Sequence, residues 1–100
     1  MVAHMRASLF LTNHSLVLIQ IWREPDITVR AIAEQVGITE RATHRIIRDL
    51  MARGCVVRRR EGRKNHYVIH DNIPMRHPLV ARFQIGELLK ALGGTPGRSR

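Results

Sequence analysis

Apolar residues recur along the first half of the chain in blocks that predict two helices. Residues 13–22 are almost continuously apolar and follow Thr12, which predicts a buried helix that begins after a threonine N-cap and ends at residues 24–26. In residues 29–36, apolar side chains recur at helical spacing directly after Thr28, a second candidate N-cap. We therefore expect the apolar face of this second helix to pack on the first.

A sharp turn and a third helix follow. Gly37 lacks a Cβ and can adopt the left-handed backbone that ends one helix and redirects the chain. Thr39 is the expected N-cap of a helix over residues 39–53, with Glu40 in the first turn, where a negative charge favours the helix dipole. Gly54 is expected to end this helix.

The β structure is predicted to be small. Ile27 could supply one short strand between the first two helices. Residues 55–60 and 66–70 have strand character, and residues 61–65 between them have turn character. Together these segments predict a hairpin with a basic tip.

The last apolar segment predicts a C-terminal helix that opens after Pro78 and extends to Leu92. Its apolar residues form two stripes, and two apolar sides need two partners. We expect one side to pack on the domain and the other on a second subunit. One stripe holds Ile85, Leu88, Leu89 and Leu92, and the other holds Leu79, Val80 and Phe83.

A chain of 100 residues with 44% apolar content is expected to form one compact domain. The fold class that the pattern predicts is mainly α with a small β-hairpin (α+β). We divide the chain into a flexible leader over residues 1–8, the main domain over residues 9–75, a C-terminal helix over residues 76–92 that is expected to dimerise, and a disordered tail over residues 93–100.

Charge indicates the kind of partner. The chain holds 17 Lys and Arg against 8 Asp and Glu, a net charge of +9, and should therefore bind polyanions. Residues 39–70 carry much of the excess, with three acidic and nine basic side chains. The basic ones are Arg41, Arg45, Arg48, Arg53, Arg58, Arg59, Arg60, Arg63 and Lys64.

The third predicted helix separates charge from apolar residues. On a helical wheel, Thr43, Ile46, Ile47 and Leu50 share one side, whereas arginines 41, 45 and 48 lie on the other. Such a helix would bury one face in the core and present a cationic face to a partner.

The order of these elements resembles the winged helix-turn-helix regulators of the MarR-like and ArsR-like groups. The resemblance covers the chain from Thr12 to about Pro78. It rests on residues 31–39 as the second helix and turn, on residues 45–50 as the middle of the recognition helix, on Gly54, and on the Arg-Arg-Arg-Glu-Gly-Arg run in the hairpin. It implies a winged helix-turn-helix fold, to which the C-terminal helix predicted above is an addition, in a protein that binds double-stranded DNA as a homodimer. Regulators of these groups usually carry more sequence around the winged domain, so a small-molecule effector is not favoured here.

The docking geometry of such proteins places the recognition helix in the major groove and the wing, residues 58–66, on the backbone or minor groove. Side chains near the amino end of the helix are expected to reach base edges, and the wing is expected to meet phosphate or a narrow minor groove. The candidate base contacts are Arg41 and Arg45; the candidate phosphate or base contacts on the helix are Thr39, Thr43, His44 and Arg48, with core packing an open alternative for Thr43. The candidate wing contacts are Arg58, Arg60, Arg63 and Lys64.

The sequence gives little support for catalysis, metal binding or redox sensing. No nucleophile elbow, phosphate loop or metal motif is present, so we expect neither an enzyme nor a cofactor or metal. His66 and His70 are four apart on a predicted strand and are not adjacent, and Cys55 has no second thiol. Cys55 is interpreted as a small buried strand residue rather than a redox sensor.

Three functions from different classes are compatible with the sequence. The favoured one is a sequence-specific transcriptional regulator; the alternatives are a non-specific architectural DNA binder and a winged-helix module that binds protein. With no apolar run long enough to span a membrane, no ordered secretory signal and a single cysteine, the expected location is the cytoplasm, in association with the nucleoid. The expected partners are double-stranded DNA and a second copy of the chain, with no membrane.

Overall fold

The computed structural model describes residues 10–97 and confirms the predicted fold class, mainly α with one β-hairpin. Within residues 10–97, no helix is both long enough and apolar enough to cross a membrane. The elements follow in the order α1 (Asn13–Arg23), α2 (Val29–Val36), α3 (Glu40–Ala52), β1 (Val56–Glu61), β2 (Lys64–Ile69) and α4 (Ile85–Gly93).

The first three helices begin where the sequence predicts, and for the expected reason. The hydroxyls of Thr12, Thr28 and Thr39 each accept a hydrogen bond from the backbone N–H three residues later, at 3.0–3.1 Å. At the end of α2, Gly37 has a φ of 84° and its N–H donates to the carbonyl of Ala33 over 2.8 Å. This left-handed residue turns the chain so that α3 begins after only two more residues.

The core lies where α1, α2, α3 and the base of the hairpin meet. Each helix contributes its apolar stripe, and α4 closes the core against α1 through the fully buried Leu89. The largest fully buried side chains are Ile21, Ile32, Ile47, Leu89, Val17, Val56 and Thr43.

The turn of the hairpin is tighter than predicted. The strands pair antiparallel from Val56 opposite Ile69 to Glu61 opposite Lys64, which leaves a two-residue turn. Gly62, the first residue of that turn, has a φ of 64°, the conformation that a glycine at this position of a hairpin turn readily adopts. Because both strands continue into the predicted turn region, the basic tip is a structured ribbon and not a loose loop.

The short strand predicted at Ile27 is absent, since the only sheet within residues 10–97 has two strands. Ile27 is 4% exposed, so its apolar side chain is explained by core packing. One backbone contact nevertheless ties this segment to β2, because the N–H of Tyr67 donates to the carbonyl of Pro25 over 3.0 Å.

The C-terminal helix begins at Ile85 and not after Pro78 as predicted. Gln84 and Glu87 form a capping box at its start, and the Gln84 N–H donates to the Glu87 carboxylate over 3.1 Å. The residues between β2 and α4 form turns and one antiparallel bridge between Pro74 and Gln84. The carbonyl of Asp71, at the start of this segment, accepts from the Gly86 N–H in the first turn of α4 over 2.8 Å. The apolar residues 79, 80 and 83, assigned to a helical stripe by their spacing, therefore lie outside the helix.

The predicted disorder of the tail is wrong for residues 93–97. Gly93 ends α4, and the Gly97 N–H donates to the carbonyl of Trp22 over 2.8 Å. The indole N–H of Trp22 in turn donates to the carbonyl of Gly94 over 2.8 Å. The leader over residues 1–8 and the tail residues 98–100 lie outside the described residues.

Candidate nucleic-acid interface

The exposed side of α3 presents a row of cationic and histidine side chains, which we call the cationic face: Arg41, His44, Arg45 and Arg48. All are exposed, and their spacing of three and four residues places them on one side of the helix. The opposite side, residues 43, 46, 47 and 50, is buried. The core therefore fixes the rotation of α3, so that the cationic face points to solvent.

The two threonines predicted to contact DNA have different environments. Thr39 is exposed at the start of α3, but its hydroxyl already accepts from the Ala42 N–H. Thr43 is fully buried, and its hydroxyl donates to the Thr39 carbonyl over 2.9 Å. The prediction that Thr43 contacts DNA is therefore wrong; of the two open alternatives, core packing is the correct one.

The predicted wing cations are exposed and belong to two parts of the hairpin. Arg58 and Arg60 share a strand face, where Arg58 lies opposite the buried Tyr67 and Arg60 donates from Nε to the Gly62 carbonyl over 3.1 Å. Burial raises the pKa of Tyr67, and the positive charge of Arg58 partly opposes this increase. Arg60 is thus held along the turn, where its charge adds to that of the tip.

Arg63 and Lys64 form the tip of the wing and line one side of a groove of about 270 Å³. Its other side is the start of α2, with Thr28 and Val29, and Asp26 also lines it. Asp26 was not among the sequence-predicted site residues, because no local pattern relates it to a strand forty residues away.

The sequence prediction also omitted His14, a residue of α1 that contacts α3. His14 Nε2 is 2.8 Å from Asp49 Oδ2 on α3, and both side chains are about half exposed, at 47%. The hydrogen bond from His14 holds the pKa of Asp49 below its ordinary value, with the charges of Arg53 and Arg45 acting in the same direction. This contact places the first turn of α1 beside the cationic face, next to Arg45.

Arg59 is a further exposed cation that the predicted site left out. It lies opposite His66, on the hairpin face that does not carry Arg58. Its position within a run of three arginines could have identified it, but the expected alternation along a strand favoured only its neighbours. The structure thus places positive charge on both faces of the wing.

No cluster of three or more His, Cys, Asp or Glu side chains suited to a metal ion occurs within residues 10–97. Cys55 is half-buried and lies one residue before β1, so it is neither as buried as expected nor within the strand. Two histidines of the described part pair with an aspartate: His14 with Asp49, and His66 with Asp26.

The helix-turn-helix part of the chain matches a known protein family. Residues 12–57 match a family model described as winged helix-turn-helix DNA-binding, from the first N-cap into β1. No curated protein sequence matches the chain. Among solved structures, it is similar to the zinc-dependent MarR family transcriptional regulator AdcR in its Zn(II)-bound state, at 19% identity and a TM-score of 0.48. That alignment covers 70% of this chain and 50% of the other, so the chain spans half the length of that regulator.

Proposed function

Because residues 12–57 match the winged helix-turn-helix DNA-binding family, a family of DNA binders and not of enzymes, we propose that the chain regulates transcription by binding specific duplex sites. The observation that carries the proposal is the cationic face of α3. It is exposed along the helix while the opposite face is locked in the core, so α3 can enter a groove and keep its packing in the domain.

The major groove is about 12 Å wide and admits one α-helix. With α3 in it, Arg41 and Arg45 lie within the first two turns, where recognition helices approach base edges. Arginine presents a planar fork of donors that matches the O6 and N7 acceptors of guanine. His44 lies between these two arginines and meets a base or a phosphate, whereas Arg48, a turn further along, follows the backbone.

The wing contributes electrostatic attraction for DNA. Arg63 and Lys64 at its tip meet the neighbouring backbone or the narrow minor groove, where negative potential is concentrated. Arg58 and Arg60 meet phosphates from the strand, and the Thr39 side chain does so from the start of α3. These contacts increase affinity for any duplex, since phosphates carry no sequence information.

A homodimer is the proposed assembly, and it would act in the cytoplasm on nucleoid DNA. Leu79, Val80 and Leu92 expose apolar surface and are 79%, 36% and 49% exposed, whereas Leu89 of the same C-terminal region is fully buried. A second copy covering the exposed residues would give two recognition helices related by a twofold axis and a palindromic site.

Selection of bound duplexes from a random pool, followed by titration at several salt concentrations, tests the proposal. A regulator binds the selected site about 10³-fold or more tightly than random duplex. Equal affinity for both would favour the architectural alternative, because backbone contact alone does not discriminate sequences. Absence of salt-dependent binding to any duplex would leave the protein-interaction module as the function.

A further inference from the structure

Two neighbouring residues of β2 bind two neighbouring residues of the turn between α1 and α2. His66 Nδ1 lies 2.6 Å from Asp26 Oδ1, and the two side chains are only 18% and 20% exposed. One residue later in β2 and one residue earlier in the turn, the Tyr67 N–H donates to the Pro25 carbonyl over 3.0 Å. The hairpin is therefore joined to the helical body by a side-chain contact and a backbone contact side by side.

This junction lies at the groove between the wing and the helix-turn-helix. Asp26 lines that groove together with Thr28, which caps α2, and with Arg63 and Lys64 at the wing tip. Asp26 is close in sequence to the helix cap, and His66 is two residues from Lys64. A change in the contact between Asp26 and His66 would therefore alter the separation of the wing tip from α2 and α3.

We propose that Asp26 and His66 are positioning residues for DNA binding, an inference that rests on the proposed function. Their contact fixes the wing at the angle that lets Arg63 and Lys64 reach the backbone while α3 occupies the major groove. The wing tip and α3 can bind one duplex at the same time only when their spacing matches that of the backbone and the groove. A wing that moves freely relative to α3 would not keep this spacing and would bind less tightly. Neither residue needs to touch DNA.

Electrostatics alone predicts the opposite effect for Asp26. It is a carboxylate beside the wing cations, and a DNA-binding chain that loses a negative charge there gains attraction for phosphate. Removal of Asp26 should therefore strengthen DNA binding if the residue is only a charge, and weaken it if the residue positions the wing. The sign of the effect separates the two roles.

The experiment measures duplex affinity of the full chain with Asp26→Ala, in the wild-type wing and in an Arg63→Ala/Lys64→Ala background. We expect Asp26→Ala to weaken binding to the selected site about tenfold with the wing intact, within the coupling found for contacting residues, and to have little effect without the wing cations. Glu34→Ala is the matched control, because it removes an exposed carboxylate of α2 that pairs with Arg30 and not with the wing. It should leave affinity unchanged or raise it.

His66→Asn and His66→Ala test the other partner and guard against a folding defect in Asp26→Ala. The amide nitrogen of asparagine is as many bonds from Cα as Nδ1 of histidine, so it can still donate to Asp26. We expect His66→Asn to retain most of the affinity and His66→Ala to lose it, with thermal melting confirming that both variants fold.

Two results of the affinity measurements would overturn the inference. One is stronger binding by Asp26→Ala, as for a simple charge removal; the other is an equal loss with and without the wing cations. Hydrogen exchange at the Tyr67 amide in the free protein should be faster in Asp26→Ala, and an unchanged rate would also contradict a fixed wing. Failure of wild type to bind any duplex would overturn the proposed function as well, and is recognised before any variant is compared.

Discussion

His14 on α1 and Asp49 on α3 meet at 2.8 Å, between Nε2 and Oδ2, at the edge of the cationic face. Because the hydrogen bond to His14 lowers the pKa of Asp49 in the folded chain, the ionised carboxylate stabilises the fold above the unfolded pKa, near 3.8, and this contribution is lost as the pH falls through the folded pKa. We expect the free energy of unfolding to fall less steeply with acidification below pH ~5 in Asp49→Asn than in wild type. Denaturant unfolding across that range measures the difference. His14→Ala should also flatten the dependence, and parallel curves for all three proteins would contradict the assignment.

Gly37 makes the turn between α2 and α3 possible. With a φ of 84°, it lies in a region that a β-branched residue adopts only with strain, so Gly37→Val should destabilise the fold by at least ~1 kcal/mol. Gly37→Asn is the matched control, because asparagine tolerates left-handed backbone better, and it should cost less. Thermal melting compares the two variants. A melting temperature for Gly37→Val equal to that of wild type would show that the turn does not depend on this conformation.

Gly97 allows the C-terminal segment to contact the end of α1. A Cβ at this position would collide with the carbonyl oxygen of Arg23, so Gly97→Ala cannot keep the hydrogen bond from Gly97 to Trp22. The chain has one tryptophan, whose indole also bonds to Gly94. We expect the Trp22 fluorescence of Gly97→Ala to shift to the red as water reaches the ring. Thr95→Ala, at an exposed position of the same segment, should leave the spectrum as in wild type, and an unshifted Gly97→Ala spectrum would count against the packed segment.

Thr43 serves the core and not the DNA surface. Thr43→Val removes the hydrogen bond to the Thr39 carbonyl and should cost ~1 kcal/mol of stability, the usual net value of such a bond. Binding should change little once the variant is folded, because the side chain is fully buried. Chemical denaturation and duplex titration of the same preparation check both expectations. A changed base preference with unchanged stability would place Thr43 back at the interface.

The sequence allows the first part of the fold to be predicted because its determinants are local. A threonine and the N–H that it caps are three residues apart, and Gly37 forms its turn from its own backbone freedom. The cationic face of α3 could be predicted for the same reason, since helical spacing alone separates Arg45 from Ile46 and Ile47.

The features that the sequence did not predict depend on distant contacts. Residues 79 and 80 fit a helical stripe by spacing, but they lie in the segment of turns that the hydrogen bond between Asp71 and Gly86 closes. The helix α4 therefore begins only at Ile85. The glycine-rich tail has the composition of a disordered segment, but Gly94 and Gly97 form backbone hydrogen bonds with Trp22, more than seventy residues earlier. The His66 contact with Asp26 spans forty residues and has no motif.

Titration of the selected site and of random duplex at several salt concentrations, with wild type, Arg41→Ala, Arg45→Ala and Arg63→Ala/Lys64→Ala, tests the central claim that α3 specifies sequence and the wing attracts DNA. Loss of Arg41 or Arg45 should cost ~1–3 kcal/mol on the selected site, relax preference at one base position and affect random duplex less. The wing double variant should weaken both duplexes similarly and reduce the salt slope by about 0.9 for each phosphate that it no longer neutralises. A wing variant that changes base preference, together with arginine variants of α3 that leave it intact, would contradict the account.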